Sequence, residues 1–189
     1  CEDTKTILAN EKIAKNTYGD NVPFSMHGII RSRDCCIKST ALAIQIAKET
    51  GARIHLMHLS TYQEVAMLKD LMYGNVKTRQ ISGEACIPHL YFSESFYEQK
   101  GPFLKCNPAV KTEKDRLALV QALESGVITT VGTDHAPHEL SAKGNQYFKC
   151  ASGLPSVQFS LLALLDLWKR KEITLETIAK VTSTNVAER

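Results

Sequence analysis

The sequence predicts a parallel α/β fold. Short apolar segments rich in strand formers alternate with amphipathic segments of helical period, the pattern of successive β/α units. The residues with chemical capacity fall just after the strand segments, as they do where strand ends converge on one face. The 189 residues are 43% hydrophobic and 23% charged, enough to bury one good core.

The elements follow in order. From Ser39, the spacing of Ala41, Leu42, Ile44, Ile46 and Ala47 predicts a helix ending at Gly51, a residue suited to a C-cap. "RIHLMHLS" then reads as a strand, and "TYQEVAMLKDLMYG" as a helix capped by Ser60 or Thr61. "TRQISGEACI" reads as the second strand, "KTEKDRLALVQALESG" as a helix closed by Gly126, and "VITTVGTD" as the third strand. "SVQFSLLALLDLWKRK" is an apolar helix and "TLETIAKVTSTNVAE" a capped final one. No low-complexity linker divides the chain, so residues 1–189 are read as one unit.

Composition excludes several functions. With 23 Lys and Arg against 20 Asp and Glu, scattered rather than clustered, the net charge of +3 gives no support to nucleic acid or a membrane surface as partner. Cysteines 1, 35, 36, 86, 106 and 150 form no C-x-x-C pair, so neither a zinc ribbon nor a redox motif is written. No apolar run reaches the roughly 18 residues a membrane span needs, and no signal peptide is visible. The expected setting is the cytoplasm, with a small-molecule substrate as partner and a homo-oligomer left open.

The chemistry concentrates at a few positions. In "HLMHLS", His55 and His58 lie three apart and, on a strand, point to opposite faces, so only His58 faces a site at the carboxyl end. It is either a metal ligand or a satisfied core histidine. Asp134 ends the apolar run "VITTVG", and a carboxylate there needs a cation, a metal or several donors. It is suited to carry a proton beside a metal, or it is a turn or cap aspartate. Asn107, held extended before Pro108, offers its amide to a ligand or simply makes a turn. Ser152 and Gly153 offer backbone that can approach a substrate, or form a plain loop.

Taken together, "HLMHLST", "ISGEACIPHLYF", "KCNPAVK", "TVGTDHAPH" and "NQYFKCASG" resemble the successive signature segments of dihydroorotases, in the cyclic amidase group of the amidohydrolase superfamily, over Cys1 to Arg189. Allantoinases and hydantoinases are similar too, but they tend to carry another residue at the position of His138. The resemblance implies the last three to four β/α units of a (β/α)8 barrel of the TIM type. It implies one or two zinc ions and the reversible cyclisation of N-carbamoyl-L-aspartate to dihydroorotate in pyrimidine synthesis. Carried over by position, His58 is a zinc ligand, Asp134 a ligand and proton shuttle, and Asn107 and His138 contact the substrate. Ser152 and Gly153 touch the dihydropyrimidine ring through backbone groups.

The resemblance also places the remaining ligands outside this sequence, the fifth-strand histidine falling just before Cys1. Pro88 and His89 stand where the family commonly has two adjacent histidines, and with Glu84, His89 is expected either to shape the metal's outer shell or to serve ordinary packing and loop hydrogen bonds. The rival readings are a non-catalytic assembly module of the same fold and another cyclic amidase such as an allantoinase.

Overall fold

The computed structural model describes residues 2–73 and 80–188. In chain order they form α1 (Thr4–Tyr18), α2 (His27–Ile30), α3 (Arg33–Thr50), β1 (Ile54–Leu56), α4 (Tyr62–Tyr73), β2 (Ile81–Cys86), α5 (Ile87–Tyr91) and α6 (Tyr97–Lys100). Then come α7 (Glu113–Glu124), β3 (Thr130–Gly132), α8 (Leu140–Lys143), α9 (Ser160–Lys169), α10 (Leu175–Ala179) and α11 (Asn185–Ala187). Gly74, Thr78 and Arg79, at the expected helix end and strand start, lie outside the described residues, as do Cys1 and Arg189.

The strands form one parallel sheet in the order β1-β2-β3, with His55 opposite Ser82 and Glu84 opposite Thr130. Alternation sorts the side chains. His55, Ser82, Glu84 and Thr130 share one face, where their side chains bond to each other. The other face, with Leu56, Ile81 and Ala85, packs on helices through a core that includes Ile44, Leu68, Leu119, Leu123 and Leu164. A Cβ at Gly83 would lie 2.7 Å from the Leu59 and Leu68 methyls, so β2 meets that core at backbone distance. A sheet with helices on one face and polar side chains on the other is an arc of a barrel wall.

Local signals set the helix ends. Gly51 closes α3 at φ 75°, a left-handed turn that glycine enters without strain. The Thr61 hydroxyl accepts the Glu64 N–H at 3.2 Å, while Glu64 accepts the Ser60 and Thr61 N–H groups, each at 3.1 Å. This reciprocal cap settles the choice between Ser60 and Thr61. Thr40 donates to the other oxygen of Glu64 at 2.7 Å, so this buried carboxylate is fully paired and ties α3 to α4. The final segment is capped by Thr174 as expected, but a π-helical turn, Lys180–Thr184, interrupts it between α10 and α11.

Asp115 ties three helices. It completes a capping box with Thr112 at the start of α7, accepts the Tyr62 N–H of α4 at 3.1 Å and forms an ion pair with Arg33 of α3. Burial pushes its carboxyl up, yet the hydrogen bonds from Arg33, Thr112 and Tyr62 outweigh burial and hold it below the usual carboxylate range. A carboxyl lowered on folding stabilises the fold above its unfolded value, about 4, and that contribution fades as pH falls through the lowered value.

Asp115→Asn is expected to cost about 2 kcal/mol at neutral pH, through the weakened cap and the lost ion pair. The loss should shrink as the pH drops below 4. Denaturant midpoints of the parent and variant across pH 3 to 7 measure this, with the slope m unchanged.

Candidate active site

His58 and Asp134 each stand two residues beyond a strand end, after β1 and β3. His58 has φ 42° and Asp134 φ 47°, and among the described residues only Lys171 shares this left-handed conformation without being glycine. Each such residue costs of order 1 kcal/mol and persists only where its surroundings enforce it. Two of them at matching offsets on one edge of a parallel sheet mark a built feature. The expectation that His55 and His58 alternate along a strand is corrected here. The strand stops at Leu56, so His58 leaves by a turn and its direction is not set by the pleat.

Burial lowers the His58 imidazole below its ordinary pKa, while the charge of Asp134 pushes it back up. The two groups therefore feel each other across β2, in keeping with strand exits about 10 Å apart, twice the strand spacing. Both are half-buried. An imidazole and a carboxylate at exits on either side of β2 are two donor types of a catalytic zinc site, which normally takes three protein ligands. Among the described residues no three His, Cys, Asp or Glu groups converge to complete it. Cys106 is no substitute, since burial pushes its thiol up to about 12, and burial likewise pushes Cys86 far up. Both remain thiols rather than thiolates.

The residues expected to touch substrate gather on the adjoining loops. His138 bonds through Nε2 to the Ser152 carbonyl at 3.0 Å. Gly153, at φ 144°, donates its N–H to the Lys105 carbonyl at 2.9 Å, so the 152–153 loop lies against the segment that carries Asn107. A Cβ at Gly153 would meet Ala136 at 2.5 Å, a position open only to glycine. The Oδ1 atom of Asn107 is buried and has no hydrogen-bond partner among the described residues.

What holds these loops escaped sequence reasoning. The buried ammonium of Lys143 donates to the carbonyls of Lys105, Ala151 and Gly153 at 3.2, 3.0 and 3.1 Å. Lys105 in turn donates to the Tyr147 and Cys150 carbonyls at 2.7 and 2.6 Å. His27 bonds to the Cys106 carbonyl and the Tyr147 hydroxyl, both at 2.7 Å. His89 bonds to the Pro108 carbonyl at 2.8 Å. A carbonyl can only accept, so the Nε2 atoms of His27 and His89 carry the hydrogen. His89 thus braces the Asn107–Pro108 segment, a loop hydrogen bond of the kind expected as the alternative to a metal's outer shell. Burial lowers both imidazoles to about 3, which keeps them neutral.

Comparison with known proteins follows this geometry. No family model matches the chain. It is 31% identical over 188 residues to a dihydroorotase of Methanosphaera stadtmanae, covering 99% of this chain and 42% of that protein. It is 31% identical over 189 residues to a dihydroorotase of Methanosarcina mazei, covering 98% of this chain and 41% of that protein. The chain thus spans about two fifths of the length of these curated relatives. Among solved structures, an L-hydantoinase (dihydropyrimidinase) from Arthrobacter aurescens superposes with a TM-score of 0.90 at 22% identity, covering 99% of this chain and 41% of that one. A dihydroorotase from Saccharomyces cerevisiae in complex with 5-fluoroorotic acid gives 0.71 at 22% identity, covering 81% and 42%. These structures establish the fold as a partial amidohydrolase barrel of the TIM type, as the sequence predicts.

Two measurements check the loop supports. A histidine whose pKa falls on folding stabilises the fold above its unfolded value, and the contribution is lost as pH drops from about 6.5 towards 3. His27 and His89 together should steepen acid unfolding by up to about 2.7 kcal/mol per pH unit in that window. His89→Gln should halve this slope in denaturation followed against pH. Lys143→Met leaves three carbonyls without their donor and should cost about 2 to 3 kcal/mol, with faster hydrogen exchange at the Gly153 amide.

Proposed function

The chain belongs to the dihydroorotase family of amidohydrolases, and from that premise we propose that residues 1–189 form the carboxyl-terminal portion of one zinc-dependent barrel domain. The whole enzyme interconverts N-carbamoyl-L-aspartate and dihydroorotate, in the cytoplasm, as a step of pyrimidine synthesis. The observation that carries the reading is the pair His58 and Asp134, both in left-handed backbone just past the ends of parallel strands.

His58 and Asp134 hold the metal, with the remaining donors supplied by the earlier strands of the barrel. When bound, zinc supplies Lewis acidity toward the scissile amide and makes water a usable nucleophile near neutral pH. Asp134 accepts the proton of the attacking water and delivers it to the departing ring nitrogen; in the synthetic direction it removes that proton from the attacking ureido nitrogen. Asn107 presents its unpaired amide oxygen to an N–H of the substrate. His138 spends Nε2 on Ser152, which leaves Nδ1 for the substrate. Ser152 and Gly153 offer backbone groups to the ring, and the contacts their neighbours make hold that backbone in place before substrate arrives.

In the full-length enzyme, Asp134→Asn should lower kcat about 10³-fold with circular dichroism unchanged, and His58→Ala should strip zinc measured after gel filtration. Assays of dihydroorotate, allantoin and a hydantoin side by side check the substrate. Turnover of allantoin alone would replace dihydroorotase with another cyclic amidase, and a folded full-length protein without zinc or turnover would favour an assembly module.

A further inference from the structure

The barrel-facing side of the sheet carries one carboxylate whose contacts reach the two strands that precede the candidate metal donors. Glu84, on the central strand β2, points into that face and lies between β1 and β3. Toward β1, its Oε2 atom accepts from His55 Nε2 at 3.3 Å. The Glu84 backbone carbonyl accepts the N–H of Leu59, the residue after His58, at 2.9 Å. The turn that carries His58 is therefore joined to β2 just past the end of β1. Toward β3, a Cβ built at Gly132 would fall 2.6 Å from Glu84 Oε1 and 3.1 Å from Cys86 Sγ, so the carboxylate fills the space that any side chain at 132 would need. Gly132 is two residues before Asp134. His55 is fixed in turn by Ser82 at 2.6 Å and Thr130 at 3.4 Å, which sets the carboxylate's orientation from behind.

We infer that Glu84 is a positioning residue: its carboxylate, bonded to His55 on β1 and seated against Gly132 on β3, sets the spacing of the two strands from which His58 and Asp134 meet a metal. The inference rests on the metal-binding reading of that pair. Outer partners of this kind typically govern metal affinity by 10- to 100-fold when removed.

The test uses the full-length enzyme and zinc titrated against a competing chelator, with kcat and KM followed separately. Glu84→Ala should weaken zinc affinity by 10- to 100-fold and lower kcat at zinc levels that leave KM little changed. Glu84→Gln, whose amide oxygen still accepts from His55 Nε2 and fills the same space beside Gly132, should restore affinity to within several-fold of the parent. Gly132→Ala, which leaves Glu84 in place but drives its carboxylate aside, should reproduce the zinc loss, and it decides the matter if Glu84→Ala does not fold. Parent-like zinc affinity in folded Glu84→Ala, or in folded Gly132→Ala, overturns the positioning role while leaving the metal reading intact. A folded parent enzyme that binds no zinc overturns the metal reading first, and the inference with it.

Discussion

Parallel, in-register pairing of β1, β2 and β3 is the constraint on which the other features depend. Parallel strands must all exit at the same edge, so residues distant in sequence, 58 and 134, emerge side by side without any contact between them dictating it. The same pairing divides the side chains into two populations. Leu56, Ile81 and Ala85 face the helices and supply the apolar burial, while His55, Ser82, Glu84 and Thr130 face the interior of the barrel. A polar interior wall is tolerable only because its members bond to one another. The stability of the outer face thus allows the inner face to be polar, and the polar face in turn supports strained turns at the strand exits.

Those turns need enforcement from more than one direction. Below His58 lies Glu84; just beyond it, Leu59 and Ser60 are buried, and Ser60 and Thr61 donate to the fully paired carboxylate of Glu64. Glu64 is anchored to α3 by Thr40, and α3 to α7 by Arg33 and Asp115. The chain of contacts runs from a helix-capping network to an exit loop, so the energy that holds a left-handed histidine comes from helix packing some distance away. On the substrate side a different device serves. Lys105 and Lys143 are buried without carboxylate partners among the described residues and spread their charge over five backbone carbonyls. An ammonium with three donors can fasten several loop segments at one point, and no uncharged side chain of comparable size offers that geometry.

Much of this was legible in the sequence, for local reasons. The three strands, the helices between them and the stops at Gly51 and Gly126 are written in periodicity and in residues whose backbone preferences are local. His58 and Asp134 stood out as candidates because a polar residue ending an apolar run is conspicuous, and the structure places both two residues past a strand end. Other features were not legible. The helix α1 and the short turns between Pro23 and Ile30 bury only scattered residues, Ile7, Ala14, Val22 and Ile30, so no long apolar stripe announces them. Nothing in "HELSAKG" distinguishes Lys143 from a surface lysine, because its partners lie up to 38 residues away. His55 was set aside by counting along a strand longer than the one that forms, although it turns out to orient Glu84.

Fold and chemistry separate cleanly in this molecule. An L-hydantoinase superposes on it with a TM-score of 0.90 at 22% identity, so the arc of barrel cannot by itself decide which cyclic amide is bound. The discrimination must come from groups that the sheet carries but does not determine. Asn107 sits on a segment fixed by His27 and His89. His138 and Gly153 sit on loops fixed by Lys143 and by each other's contacts. Each of these supports is a side chain bonded to backbone carbonyls, which sets the position of a loop without fixing the identity of the residues it displays. The loop residues can therefore vary with substrate while the braces and the two strand exits stay in place. Under the proposed function, the second imidazole of "TDHAPH", rather than the residues at the strand exits, is therefore the position where substrate choice is physically free to change.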